Sequence, residues 1–168
     1  PQEVALAFDA PWDGPITYFP TILQHDGEYR LYTCSQHQQP AAWIDPANKR
    51  ALEEQLYHQG DAATWAASVA TSRDGIAWRR PELGLWEWQG SRANNITWLG
   101  KAADTLTPFV DTNPATPANE RFKALAAIRS GGAKGLVPFV SEDGYRWQQW
   151  AERPVITDGA FDSQNLAY

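Results

Sequence analysis

The sequence lacks methionine entirely and contains a single cysteine, Cys34, among its 168 residues. One cysteine excludes an internal disulfide and leaves the redox compartment undetermined. No apolar run is long enough to span a bilayer as a helix. The formal net charge is -6, and no cluster of lysine or arginine is present. These absences argue against nucleic acid or a membrane as the main partner.

Turn-forming and aromatic residues, in contrast, are abundant. The chain has twelve glycines, twelve prolines, nine tryptophans, six tyrosines and six phenylalanines. Aromatic side chains favour strands, and glycine and proline favour the turns between them. The composition therefore predicts an all-β domain with many turns, and the length is sufficient for one domain with a substantial core.

A short pattern, Ser-x-Asp-Gly-x-x-Trp, occurs twice, at residues 72–78 and 141–147. Each copy follows an apolar run typical of a strand, at residues 66–70 and 136–140. Asp-Gly between such runs favours a hairpin, because glycine adopts the positive φ that tight turns need. A third Asp-Gly pair, at residues 26–27, predicts another hairpin. The chain thus contains a repeat, and a repeat constrains the whole fold.

The repeat predicts two four-stranded antiparallel units, which is the architecture of β-propeller blades. Blade one is expected over about 16–81, blade two over about 105–154, and the start of a third over 159–168. The predicted strands are 3–8 ahead of the blades, then 16–24, 28–35, 65–71 and 76–80, then 106–111, 121–128, 136–140 and 145–150. Residues 83–100 read as a linker with a short strand at 96–99. We expect Trp78, Trp147 and Trp150 to be core residues, because they recur with the blade.

A helical insertion is predicted at residues 45–60, inside blade one. Asp45 is a suitable N-cap, Pro46 suits the first helical position, and Gly60 ends the pattern. The helix either packs as a rim insertion on the sheet edge or acts as a lid or interface element.

Two blades cannot close a propeller ring, and open sheet edges expose unpaired backbone groups. We therefore expect the remaining blades to come from sequence outside residues 1–168 or from other chains. The absence of methionine and the opening residue Pro1 favour a fragment.

Asp111 and Asp162 are the candidate catalytic residues. Each lies in a segment that the repeat aligns with the first strand of a unit, and in a propeller these strands line the central channel. Two carboxylates facing one pocket suit acid and base work on a glycosidic bond. The alternative is that each aspartate only holds a turn through its own backbone.

Several sequence pieces resemble the five-bladed β-propeller glycoside hydrolases, the superfamily that holds families 32 and 43, and in particular a bacterial branch of it. The pieces are residues 72–85, 90–96, 111–114, 120–124 and 159–165. The resemblance covers nearly the whole chain except the helical insertion. It implies hydrolysis of a glycosidic bond by acidic residues on the inner strands, without an obligatory cofactor or metal.

In that superfamily three inner-strand acids act together, and by position Asp111 and Asp162 match two of them. The third is Asp13, Asp9 or a residue beyond Tyr168. No residue matches the superfamily's usual glutamate acid.

Candidate sugar-binding residues are amides that can bond hydroxyl groups and rings that can stack on a sugar face. They are Trp12, Asp13, Tyr18, Asn94, Asn95, Asn113, Gln164 and Asn165. For the amides, the alternative is that they satisfy turns and loops. The three histidines, His25, His37 and His58, show no metal-ligand spacing.

Two other functions remain open at this point. One is a carbohydrate-binding propeller without catalysis, which the missing acid in the first blade favours. The other is an interaction module resembling sialidases, whose aspartate-box repeats place Asp, Gly and Trp on blade turns. Those boxes space Asp and Gly differently, and no arginine cluster for a sialic acid carboxylate is evident.

Overall fold

The computed structural model describes residues 3–37, 65–128 and 134–167. The helix predicted over residues 45–60 lies outside these ranges. In the described part of the chain no helix is long and apolar enough to cross a membrane. The strands are β1 (Ile16–His25), β2 (Glu28–Gln36), β3 (Trp65–Ser72), β4 (Ile96–Leu99), β5 (Thr107–Val110), β6 (Phe122–Ile128), β7 (Gly135–Ser141) and β8 (Gln148–Gln149). Two 3₁₀ helices, Ala103–Thr105 and Ala118–Glu120, flank β5.

These strands form two four-stranded sheets, β1-β2-β3-β4 and β5-β6-β7-β8, in which every neighbouring pair is antiparallel. The all-β class and the two four-stranded antiparallel units are therefore confirmed. Closure of such units into a five-bladed propeller stays a prediction.

The fourth strand of the first sheet differs from the expectation. The strand predicted at residues 76–80 is wrong, because only Arg79 pairs there, in a single bridge to Thr71. Pro81 follows and has no N–H to continue a ladder. The fourth position is instead occupied by β4, which pairs with residues 66–68 at the other end of β3.

The outer strand of the second sheet also consists of two separate pieces. β8 pairs with Phe139 and Val140, and a separate bridge joins Leu136 to Ile156. In both units one short piece follows the Ser-x-Asp-Gly-x-x-Trp loop, and a later piece pairs near the start of the third strand. The outer strand is thus composite in both repeats.

The strand predicted at residues 3–8 is also wrong. This segment forms no ladder with any described strand, and the carbonyl oxygen of Ala7 instead accepts a hydrogen bond from Arg80. Without a neighbouring strand, an apolar run has no partner for its backbone groups.

The hairpin predicted at residues 26–27 is confirmed, with φ of 50° at Asp26 and 74° at Gly27. The two motif loops are longer than a two-residue turn and are held by side chains. In the second copy, Asp143 Oδ1 accepts hydrogen bonds from the backbone N–H groups of Tyr145 and Arg146, at 2.8 and 2.7 Å. Asp74 accepts the equivalent bonds from Ile76 and Ala77. The repeat therefore extends to individual hydrogen bonds.

The two sheets pack face to face around one core. Tyr32 and Val69 on the first sheet and Phe122 and Phe139 on the second are each at most 1% exposed. Trp147 joins this core, as predicted. The core prediction is wrong for Trp150, which is 63% exposed because it lies just beyond the short strand β8.

Candidate functional site

Each sheet has two edges at which its strands begin or end, and the matching edges of the two sheets lie on the same side of the protein. We call the end where β1, β3, β5 and β7 begin the opening edge, and the other the turn edge. At the opening edge, the thiol of Cys34 lies 3.9 Å from the carbonyl oxygen of Leu106. At the turn edge, Arg30 of the first sheet donates to the carbonyl oxygen of Asp143. A pocket shared by the first strands would lie at the opening edge.

Asp111 lies at the turn edge. It follows the last residue of β5, Val110, and its N–H donates to the carbonyl oxygen of Arg121 at 2.9 Å. The aligned segment does form β5, but Asp111 lies just beyond its last residue, so it is not at the opening edge where the first strands begin.

The carboxylate of Asp111 is occupied by neighbouring groups. Lys123 Nζ lies 2.6 Å and Thr116 Oγ1 2.8 Å from Asp111 Oδ2, and the N–H of Asn113 donates to Oδ1 at 2.9 Å. Lys123, followed by the donors Asn113 and Thr116, holds the pKa of the Asp111 carboxyl well below its usual range. This is the arrangement of a turn-holding carboxylate.

Asp162 lies between two anchored residues. Phe161 is 8% exposed and packs with Ala127 and Leu136 at the opening edge of the second sheet. Gln164 Nε2 donates to Thr21 Oγ1 of β1 at 2.6 Å. Asp162 itself is exposed. The segment that carries it therefore bridges the opening edge of the second sheet and strand β1.

The structure does not bring Asp111 and Asp162 together. Asp111 is beside the start of β6, at Arg121 and Phe122, whereas Phe161 packs near the end of β6, at Ala127. A strand rises about 3.4 Å per residue, so these two positions on β6 are about 17 Å apart. A shared pocket for these two carboxylates is not formed.

Asp13, a candidate third acid, is buried in an ion pair. It is 2% exposed, and its Oδ2 lies 2.7 Å from Arg80 Nη2 and accepts the N–H of Ala10 at 2.9 Å. Arg80 also bridges to Asp9, 3.2 Å away. These contacts fasten the segment before β1 to the first sheet.

Trp12 and Asn95 hold the same segment. The indole N–H of Trp12 donates to Asn95 Oδ1, and Asn95 Nδ2 donates to the carbonyl oxygen of Val69 at 2.7 Å. Ser35 donates to the carbonyl oxygen of Trp12 from the face of the first sheet that points away from the second. Both polar groups of Asn95 are thus used within the protein.

The remaining predicted amides are also engaged internally. Asn94 is 2% exposed and donates to Trp86 and Ser91 while accepting from the N–H of Ile96. Asn113 accepts from the N–H of Ala115 in the Asp111 loop. Asn165 donates to the carbonyl oxygen of Ser163 at 2.7 Å. For these residues the structure shows the loop-satisfying arrangement that was the alternative from sequence.

Tyr18 lies at the opening edge. It pairs in register with Cys34, so both side chains lie on the face that meets the second sheet. The ring of Tyr18 is half-buried and packs edge-on against Trp65, with centroids 6.1 Å apart. An aromatic pair with one partly open ring is suited to stacking on a sugar.

Asp104 was missed by the sequence analysis. It lies in the 3₁₀ helix immediately before β5 and is 9% exposed. Burial, together with the charge of Asp104, raises the pKa of the Cys34 thiol well above its ordinary value. The available signal was spacing, because Asp104 precedes β5 by three residues, as Asp13 precedes β1.

Tyr18, Trp65 and Asp104 therefore lie at the opening edge, and Gln164 ties the segment that carries Asp162 to Thr21, in the middle of β1. Among the described residues, no three His, Cys, Asp or Glu side chains are grouped so as to hold a metal ion.

The sequence matches no protein-family model and no curated protein sequence. One similar solved structure comes from a study of the GH130 family of mannoside phosphorylases, which contains glycoside hydrolases that target beta-1,2 mannosidic linkages in Candida mannan. It has a TM-score of 0.45 and 15% identity, over 82% of this chain and 32% of that one. A glycosyl hydrolase from Bacteroides ovatus gives 0.44 and 14%, over 82% and 32%. The chain thus spans about a third of the length of both.

Proposed function

We propose that this chain is part of a β-propeller glycoside hydrolase that binds its carbohydrate at the opening edge. The proposal rests on one observation. Gln164 ties the segment with Asp162 to Thr21 of β1, the strand that carries Tyr18, and Asp104 lies just before β5, the equivalent strand of the second sheet. An exposed carboxylate, a buried carboxylate and a partly open aromatic ring suit the opening edge for work on a sugar.

The proposed chemistry uses two carboxylates in different environments. General acid and general base roles need two carboxyl groups in different environments. Asp104 is buried and Asp162 is exposed, so the pair meets that requirement. The separation of the two groups in the complete site would decide between retention and inversion.

Asp111 has a different role in this proposal. Its carboxylate stays ionised beside Lys123 and holds the loop between β5 and β6. Gln164 likewise holds a neighbour, Thr21, and its amide nitrogen is not free for a sugar hydroxyl.

The second candidate function is carbohydrate binding without catalysis. It is favoured by the engagement of Asp13 and Asp111, two of the acids expected to take part, in ion pairs with Arg80 and Lys123. Under this function Tyr18 still binds a sugar face, and neither Asp104 nor Asp162 transfers a proton.

Binding at the opening edge can be tested by titrating the protein with manno-, gluco-, xylo- and arabino-oligosaccharides and following tryptophan fluorescence. Tyr18→Ala should weaken the observed binding by up to about tenfold, because an aromatic contact contributes about 0.5 to 1.5 kcal/mol beyond its buried area. Trp150→Ala, which removes an exposed ring from the outer face of the second sheet, is the matched control and should leave Kd unchanged. Equal affinities for Tyr18→Ala and the parent protein would refute a site at this edge.

A further inference from the structure

Strand β1 contains a bulge close to its middle. Tyr18 pairs with Cys34 of β2. Thr21, three residues later, pairs with Tyr32, which is only two residues from Cys34. Phe19, between the two paired positions of β1, has a φ of 53°. The first strand therefore carries one extra residue here, and this is the irregularity that a β-bulge produces.

The bulge places Tyr18 and Thr21 on one face of the sheet. Side chains alternate along a regular strand, so residues three positions apart would otherwise lie on opposite faces. Residues that pair in register share a face, and the partners of Tyr18 and Thr21 are two positions apart on β2. Tyr18 and Thr21 are therefore about 7 Å apart along the sheet. Their common face is the one that meets the second sheet, because it carries the core residue Tyr32.

Two phenylalanines near this face have a backbone conformation that large residues rarely adopt. The φ angle is 53° at Phe19 and 56° at Phe161, in the left-handed region that favours glycine. Such conformations persist only where the surrounding structure enforces them, and they cluster at active sites and ligand clamps. Phe19 lies in the bulge of β1, and Phe161 directly precedes Asp162. Strain is thus present both in the bulge and beside the candidate catalytic carboxylate.

Gln164 joins the segment that carries Asp162 to the bulge. Its Nε2 lies 2.6 Å from Thr21 Oγ1 and 3.5 Å from the carbonyl oxygen of Pro20. A side-chain amide nitrogen carries two N–H donors, so it can serve both acceptors. Before Asp162, Phe161 is 8% exposed and packs on the second sheet. Asp162 therefore lies between two anchors, one on each sheet.

We propose that Gln164 is a positioning residue for Asp162. Its bond to Thr21 holds the Asp162 carboxylate at a fixed distance from the face of β1 on which Tyr18 binds the sugar. Asp162 is one of the two catalytic carboxylates of the proposed function, on which this inference rests. A displacement of about 1 Å at a reacting group can lower the rate about 100-fold. Loss of the bond should therefore reduce turnover much more than it reduces binding.

Turnover and binding are measured separately in variants that lose this bond. Gln164→Leu removes the donor, and Thr21→Val removes the acceptor with little change in shape. Under the proposed function the parent hydrolyses nitrophenyl glycosides of mannose, glucose, xylose or arabinose, and each variant should lower kcat about 10- to 100-fold. Kd for oligosaccharides of the same sugars, followed by tryptophan fluorescence, should change less than about twofold. The double variant should be no slower than either single variant, because all three lose the same contact.

Thr17→Val is the matched control on the same strand. The hydroxyl group of Thr17 donates to the carbonyl oxygen of Asp13 at 3.0 Å, so this variant also loses a side-chain hydrogen bond of β1, but not the one that reaches Gln164. It should keep the parent's kcat and Kd. Circular dichroism confirms that each variant is folded. A loss of kcat in Thr17→Val equal to that in Thr21→Val would overturn the inference, because any weakening of β1 would then be sufficient.

Asp162→Asn separates a failure of this inference from a failure of the proposed function. Loss of turnover in Asp162→Asn together with the parent's kcat in folded Gln164→Leu would overturn the positioning role and leave the proposed function standing. A parent protein that hydrolyses none of these glycosides would overturn the proposed function, and the positioning role of Gln164 with it.

Discussion

The hydroxyl group of Tyr32 on the first sheet donates a hydrogen bond of 2.9 Å to the carbonyl oxygen of Gly144 in the motif loop of the second. Both groups are buried at the turn edge. The repeated loop therefore serves as a contact point between the sheets in its second copy, whereas the first copy, around Gly75, is exposed.

Gly144→Ala should destabilise the protein more than Gly75→Ala. Both glycines have φ of 75°, which costs a residue with a Cβ about 1 kcal/mol. A Cβ on Gly144 would lie 2.6 Å from Arg30 Nη1 and 2.9 Å from Tyr32 Oη, whereas on Gly75 the nearest atom is 4.0 Å away. Overpacking should add about 1 to 3 kcal/mol at Gly144 only. Urea unfolding of the two variants measures this difference, and equal losses would show that the turn edge is loosely packed.

Arg30→Ala should reduce the free energy of unfolding by about 3 kcal/mol, because the side chain joins both sheets in a partly buried site. Its guanidinium carbon lies 4.3 Å from the ring centroid of Tyr145 and 4.9 Å from that of Phe122, and its Nε lies 3.4 Å from Glu28. Chemical denaturation provides the measurement.

Arg146→Ala is the matched control for Arg30. The Arg146 side chain is 70% exposed and forms an ion pair with Asp143 of its own loop, so its loss should cost less than about 0.5 kcal/mol. Comparable effects of the two substitutions would contradict the role of Arg30 in joining the sheets.

Stability should fall on mild acidification because of His37. Burial lowers the pKa of His37 to about 4, from a value near 6.5 in the unfolded chain. The unfolded state therefore binds more protons as the pH drops, and the loss of stability begins below about 6.5 and is complete near 4. The ring of His37 lies 4.1 Å from that of Trp88.

His37→Phe keeps the ring contact and removes the titration, so it should flatten the dependence of unfolding free energy on pH between those two values. Denaturant titrations at several pH values measure the slope. An unchanged slope in His37→Phe would assign the effect to other groups.

The all-β class, the repeat and most strands were predictable from sequence because they depend on local signals. The Asp-Gly pairs, the apolar runs and the periodicity fix strand positions without knowledge of the tertiary structure. The composite outer strand was not predictable. Arg79 pairs with Thr71 and Ile96 pairs with Ser68 of β3, and no local sequence pattern shows which strand residues such distant segments will pair with.

The candidate site was predicted less well, and the reason is the ambiguity of aspartate and asparagine. These residues are favoured both at reacting sites and in turns, and only the surroundings separate the two uses. Lys123 and Thr116 mark Asp111 as a turn-holding residue, although Lys123 is twelve positions away in the sequence. Asp104 was missed because it belongs to no motif.

The most direct test of the account compares glycoside turnover by two single-atom variants of the protein. Under the proposed function the parent releases nitrophenol from aryl glycosides, and Asp162→Asn should lower the kcat of this reaction at least about 100-fold while oligosaccharide binding survives. Asp111→Asn should retain turnover per folded molecule and lower stability, because it loses the ion pair with Lys123. Turnover that survives Asp162→Asn and is lost in folded Asp111→Asn would contradict the account.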